Sequence, residues 1–199
     1  HDSQRDALSG RRILTYKNGA VYRLANVFLL GWDYGTPVVM SSFGFTQRDT
    51  SPPRESDGTT KDVTCDGVQW ICEHRFPEIA AMVGFRNAVG DTPVNKAPDA
   101  PEQDWYTDYT EGGPGNKIAF SRGDRGYVVI NRDESTDWNR TYRTRMAPGR
   151  YCNVISGNYD PATKSCDPSH VITVASDGTF TANVPKMSAL AIHVGAKLD

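Results

Sequence analysis

The stretch "KIAFSRGDRGYVVINR" (residues 117–132) decides how this chain is read. Two short runs, "KIAFSRG" and "GYVVINR", flank the Gly- and Asp-rich turn "SRGDRG", the signature of a hairpin. The same grammar continues to the end of the chain. "NRTYRTR" (139–145), "RYCNVIS" (150–156), "HVITVAS" (170–176), "TFTANVP" (179–185) and "LAIHVGA" (190–196) are short period-two segments separated by Gly, Asp, Asn and Pro, with "ASDGTF" (175–180) a second hairpin-like turn. Short, evenly spaced strands of this kind argue an antiparallel sandwich or Greek-key barrel.

Toward the N-terminus the period changes. Residues 90–115 are rich in Pro, Asp and Gly and read as a linker with a long surface loop. Before them, Val21, Leu24, Ala25, Phe28 and Leu29 form one apolar stripe at helical spacing, and Phe76, Ile79, Ala80 and Val83 form another. Pro77 is tolerated there because it falls in the first turn. Between the two helices "TPVVMSS" (36–42) predicts a short strand, apolar on both faces. A parallel strand needs a parallel neighbour, and residues 1–89 offer none, so by themselves they look like the remnant of an α/β fold.

The bulk properties exclude several classes. The 199 residues carry a net charge of −2 with both signs interspersed, which gives no footprint for nucleic acid or anionic lipid. The basic clusters "GRR" (10–12) and "RTYRTR" (140–145) have acidic neighbours and read as solvated faces. "VFLLGW" (27–32) is far shorter than the roughly 20 residues a spanning helix needs. The four cysteines allow three connectivities. Short separations favour Cys65–Cys72 and Cys152–Cys166, while zinc would want a tighter C-x₂₋₄-C spacing than either pair has. Disulfides point to an oxidising, secreted setting.

Six stretches together resemble the secreted α-amylases of bacteria and animals in glycoside hydrolase family 13: "HDSQR" (1–5), "RLANVFLLGWDYGTPVVMSSF" (23–43), "WICEHRFPEIAAMVGFRNAVG" (70–90), "NKIAFSRGDRGYVVIN" (116–131), "APGRYCNVISG" (147–157) and "LAIHVGAKL" (190–198). The resemblance implies an architecture. Residues 1–89 would be the last units of a (β/α)₈ barrel, with 21–32 as helix seven, "PVVMSS" (37–42) as strand eight and 75–89 as helix eight. Residues 90–199 would be an all-β, antiparallel Greek-key C-terminal domain. The first six barrel units would precede His1.

The implied activity is endo-hydrolysis of α-1,4-glucosidic bonds in starch and malto-oligosaccharides, with retention of configuration. The family pairs a nucleophilic carboxylate with a carboxylic acid donor and adds a third carboxylate after strand seven. Asp2 matches the third, as a transition-state stabiliser that hydrogen-bonds the sugar's 2- and 3-hydroxyls, and His1 matches a substrate-binding residue beside it. The nucleophile and acid belong to earlier strands, so Asp6, Asp33 and Glu73 are given no such role and this chain alone is expected to be inactive. Calcium is expected for the parent family, with ligands outside this chain and no metal site within it. Chloride is not expected, because Val38 stands where the family's anion ligand is Arg or Lys. "SQRDALSGRR" (3–12) lacks the histidine of a gating loop. A secreted monomer is expected, with the missing N-terminal barrel part as its partner, in a longer chain or as a complementing piece.

The residues outside this scheme have ordinary readings. Trp105, Tyr106 and Tyr109 could stack on glucose rings or cover a sheet edge. Trp32 and Trp70 read as packing residues, His74 as a hydrogen-bonded structural histidine, and His170 and His193 as β-domain residues. "NRT" (139–141) fits a glycosylation acceptor at Asn139. The competing reading of the whole is a non-catalytic carbohydrate-binding or structural β-sandwich module.

Overall fold

A computed structural model describes residues 2–6, 10, 13–94, 106–107 and 113–199. The hairpin of the opening stretch is present: β2 (Lys117–Arg122) and β3 (Gly126–Asn131) pair antiparallel, with Phe120 opposite Val128 and Arg122 opposite Gly126. β1 (Tyr106–Thr107) joins the outer edge of β2, and β8 (Ser188–His193) joins β3, giving the order β1-β2-β3-β8.

Between β3 and β8 the chain makes β4 (Trp138–Arg143), β5 (Gly149–Cys152), β6 (Val171–Val174) and β7 (Thr179–Val184). The pairings nest: β3 with β8, β4 with β7, β5 with β6, all antiparallel. Strand β4 alternates as the sequence requires, with Trp138 and Tyr142 inward and Asn139 and Thr141 outward. The inward residues meet one face of the larger sheet. Ala119, Tyr127, Val129, Leu190 and Ile192 pack there against Trp138, Tyr142, Tyr151 and Phe180. Tyr127 and Tyr142 both place ring centroids 5.3 Å from Phe180, the range of favourable aromatic pairs.

Strand β3 is buried at every position, which a half-exposed strand would not be. Its other face is covered by α2 (Ala20–Gly31) and α3 (Pro77–Val89), so Phe120, Val128, Ile130, Ala189 and Ala191 share a core with Val27, Leu30, Met82 and Phe85. The helices therefore pack directly on the β region. The approach is tight at Gly126, where an added Cβ would lie 2.7 Å from Val89 and 2.8 Å from Phe85.

The two helices fall where the sequence puts them, but their buried stripes are rotated. In α2 the most buried positions are Val27 and Leu30, while Phe28 and Leu29 stay 39% exposed; in α3 they are Ile79, Met82, Phe85 and Val89, with Val83 outward. The sequence stripe marks apolar residues. The sheet selects which of them face inward.

The strand predicted over 36–42 does not form. Among the described residues no strand runs beside it, and a lone strand leaves its backbone groups without partners. Val38 is 83% exposed, and the nearest ladder contact is a single bridge from Phe43 to Trp70.

The seam between helices and sheet is tied by arginines. Arg122, buried to 1% exposure, donates to Thr92 O (2.6 Å), Gly31 O (2.9 Å) and Gly90 O (2.8 Å). Arg86 reaches Trp32 O and Gly35 O, and Arg125 reaches Ala88 O. Carbonyls at helix C-termini lack intrahelical donors and carry partial negative charge, so cations suit them. Val94, next to Arg122 in an isolated bridge, keeps the chain attached to the sheet after α3. Residues 95–105 and 108–112 of the expected linker and loop lie outside the described residues. Disulfides join Cys65 to Cys72 and Cys152 to Cys166, and no cysteine is free among the described residues. No described helix is long and apolar enough to cross a membrane.

Candidate functional site at the first helix

Asp2 begins a five-residue helix, α1 (Asp2–Asp6), which is too short to hold itself together in water. It is held from outside. Gln4 is buried, and its amide donates to Ser42 Oγ and to Glu73 Oε1, each at 3.4 Å. Arg5 lays its guanidinium 4.9 Å from the centroid of Phe43 and donates to Arg48 O (3.1 Å) and Thr50 O (2.8 Å). Asp6 receives Arg48 Nε at 3.2 Å. Three consecutive residues after Gln4's neighbour Ser3 thus dock α1 on the segment 42–50. His1 lies outside the described residues, and of Asp2 the backbone alone is described.

The segment that receives α1 is ordered in turn by Glu73. That carboxylate has no exposed surface, and it accepts from Ser42 N at 2.7 Å and Ser42 Oγ at 2.5 Å besides Gln4. Glu73 opens a 3₁₀ turn (Glu73–Arg75) just before α3 and directly after Cys72, whose φ of 53° is left-handed and whose sulfur is tied to Cys65. The disulfide loop closes over the segment at Gly44, where an added Cβ would sit 2.1 Å from Val68 O. His74 adds a contact from Nδ1 to Ser41 Oγ at 3.0 Å. Gln4, Arg5, Met40, Ser41, Ser42, Phe43 and Phe45 line a cavity of about 230 Å³ beside the helix.

The contacts described here hold a helix in place. The cluster's one fully buried acid, Glu73, has its oxygens occupied by protein donors. Among the described residues no three His, Cys, Asp or Glu side chains group as a metal site. Val38, at the position of the expected anion ligand, is apolar and open to solvent.

The other singled-out residues are not gathered at α1. Trp32 packs with Phe28 (5.2 Å) and Phe120 (5.1 Å), and Trp70 meets Phe43 edge-on at 6.2 Å. Asp33 accepts from Val94 N, capping the start of the linker. His170 contacts Ser156 Oγ, and His193, buried in β8, is pulled down to about 4 by loss of solvent. Asn139 is exposed on β4. Tyr106 belongs to edge strand β1, while Trp105 and Tyr109 lie outside the described residues. Sequence reading missed Glu73, Ser42 and Gln4 as a unit. Their signal lay in "HDSQR", "VMSS" and "CEHR", but nothing in one dimension brings these stretches together.

The chain is similar to known proteins along its whole length. Residues 103–195 match the family described as "Alpha amylase, C-terminal all-beta domain". The α-amylase of Thermomonospora curvata is 40% identical over 198 residues, covering 98% of this chain and 29% of that protein. That of Tenebrio molitor is 40% identical over 207 residues, covering 100% of this chain and 40% of that protein. The crystal structure of α-amylase I from Eisenia fetida superposes with a TM-score of 0.81 at 35% identity, across 98% of this chain and 40% of that one. A mutant of the same enzyme with maltohexaose superposes with a TM-score of 0.77 at 32% identity, across 92% of this chain and 37% of that one. The chain thus spans well under half of the α-amylases it matches, and its residues 103–195 belong to the family of α-amylase C-terminal all-β domains.

Proposed function

We propose that this chain is the C-terminal part of an endo-acting α-amylase, hydrolysing α-1,4-glucosidic bonds of starch and malto-oligosaccharides with retention. Residues 1–89 supply the last units of its (β/α)₈ barrel and 90–199 its Greek-key domain. The exposed apolar segment around Val38 supports this reading, since a barrel strand separated from its neighbours has nothing to pair with. So does the nested pairing of β3 through β8, in which β8 returns over a long excursion to lie beside β3.

In this reading Asp2 sits at the C-terminal end of barrel strand seven, the end from which catalytic side chains project. Its carboxylate accepts hydrogen bonds from two hydroxyls of the sugar at the cleavage point. Those bonds tighten as the ring flattens toward an oxocarbenium ion, so they favour the transition state over bound substrate. His1 donates to the same sugar. The nucleophile and proton donor come from barrel units preceding His1. Calcium would be held by residues of those units, and no step here runs through it. The protein works outside the cell, where its two disulfides persist.

The observation that carries this reading is the docking of α1 by Gln4, Arg5 and Asp6. A five-residue helix fixed at three successive positions supports a steady position for the residue that begins it, as a group that must meet a reacting sugar requires. The test is Asp2→Asn in the full-length reading frame that encodes this chain. Several kcal/mol of transition-state binding corresponds to a loss of about 10³-fold in kcat. Activity within threefold of the unaltered enzyme would refute the assignment.

A further inference from the structure

We propose that Glu73 is the positioning residue for the helix that carries Asp2. The inference rests on the reading of Asp2 above and extends it to a carboxylate 69 positions from Gln4 in sequence.

Burying a carboxylate costs several kcal/mol unless donors replace its water. Glu73 has no exposed surface, and its donors come from two places only among the bonds described: Ser42, through N and Oγ, and Gln4, through its side-chain amide. These are the two segments that meet at the site. Ser42 begins the stretch that receives Arg5 and Asp6, and Gln4 is two residues from Asp2 on one helix. The carboxylate itself is held firmly. It lies between Cys72, which is disulfide-bonded, and α3, whose Ile79 and Met82 are fully buried in the helix–sheet core.

The path from the core to the site is therefore short: α3, then Glu73, then Ser42 and Gln4, then Asp2. Glu73 touches no substrate and has no free oxygen to offer one. Its work is to set where α1 begins, and displacing a group by about 1 Å at a reacting centre can cost 10²-fold. The geometry also fixes polarity. Gln4 donates and Glu73 accepts; an amide at position 73 replaces one of the two acceptor oxygens by a donor, so either Ser42 N or the pair of Ser42 Oγ and Gln4 loses the acceptor it has.

The experiment uses the full-length enzyme and soluble starch. Glu73→Gln is expected to lower kcat about 10²-fold while KM changes less than threefold, because misplacing Asp2 weakens the transition state more than the bound substrate. Gln4→Glu alone sets two carboxylates together and is expected to be impaired as well. The double exchange, Gln4→Glu with Glu73→Gln, reverses the polarity: the amide introduced at 73 donates to the carboxylate introduced at 4, and Ser42 keeps a partner for each of its groups. It is expected to recover kcat to within about fivefold. Each variant is assayed below its melting transition, read by circular dichroism. A folded Glu73→Gln enzyme with unaltered kcat overturns the proposal. If that variant does not fold, the double exchange decides: folded and active supports the proposal, folded and still impaired overturns it. Asp2→Asn runs in parallel. Full activity there refutes the role of Asp2, whereas loss there with no loss in Glu73→Gln refutes Glu73 alone.

Discussion

Replacing Arg122 by Met tests how the helices are joined to the sheet. The side chain is 1% exposed and donates to three carbonyls: Gly31 and Gly90 at the ends of α2 and α3, and Thr92 just beyond. Burial pushes the guanidinium below its ordinary range, and the neighbouring Arg86 adds to this, so part of what the bonds contribute is offset by lost hydration. Hydrogen bonds to a charged group contribute about 1.5–3 kcal/mol each, and an abandoned buried carbonyl costs about 1–3. Methionine keeps most of the packed stem and removes the desolvated charge, and the part-buried Gly90 and Thr92 oxygens can find water. The net loss is then about 3 kcal/mol, near the low end for breaking a buried charged cluster. Urea unfolding of the 199-residue chain, followed by tryptophan fluorescence and far-UV circular dichroism, reads this directly. With a slope of about 2 kcal/mol per molar, the midpoint should fall by about 1.5 M at unchanged slope. Arg122→Lys, which cannot span three acceptors, should lose about two-thirds of that. A midpoint shift below about 0.3 M for Arg122→Met would mean that the carbonyls are satisfied without the arginine, and the reasoning would fail.

His193 makes stability depend on acid. Its imidazole titrates at about 4 in the fold against 6.5 outside it, so below pH 6.5 the unfolded chain binds a proton that the folded chain refuses. Stability should decline by about 3 kcal/mol between those values and then level off; His193→Asn, which keeps an acceptor for Gly195 N, should flatten that stretch of the curve. Gly44→Ala drives a methyl into Val68 O and should cost about 1–3 kcal/mol, with faster proteolysis of the Cys65–Cys72 loop as its local sign. Removing the Cys152–Cys166 bridge by a double serine substitution should cost roughly 3 kcal/mol, seen as a lower melting temperature under non-reducing conditions.

The β region was legible because its information is local. "SRGDRG" specifies a turn, and the runs beside it specify strands, so register followed from adjacency. The helices were legible in extent for the same reason. Which face each helix buries was not, because Val27 and Leu30 are chosen by Phe120 and Val128, about a hundred residues away. The strand over 36–42 failed for a related cause. "TPVVMSS" is apolar enough for a buried strand, but strand formation is a property of a pair. The site divides the same way. "HDSQR" points to Asp2 through family likeness, whereas the carboxylate that anchors its helix sits in "CEHR", beside a cysteine whose own signal is a disulfide. A buried Glu is indistinguishable in sequence from a solvated one, and only the approach of Ser42 and Gln4 reveals it.

The most direct measurement is release of reducing sugar from soluble starch by the purified 199-residue chain, shown folded by circular dichroism beforehand. On the proposed reading the nucleophile and proton donor belong to other strands, so hydrolysis should stay at the level of buffer alone. Turnover that scales with the concentration of this chain, and survives repurification, would mean that the bond-breaking carboxylates lie within these residues and would contradict the assignment.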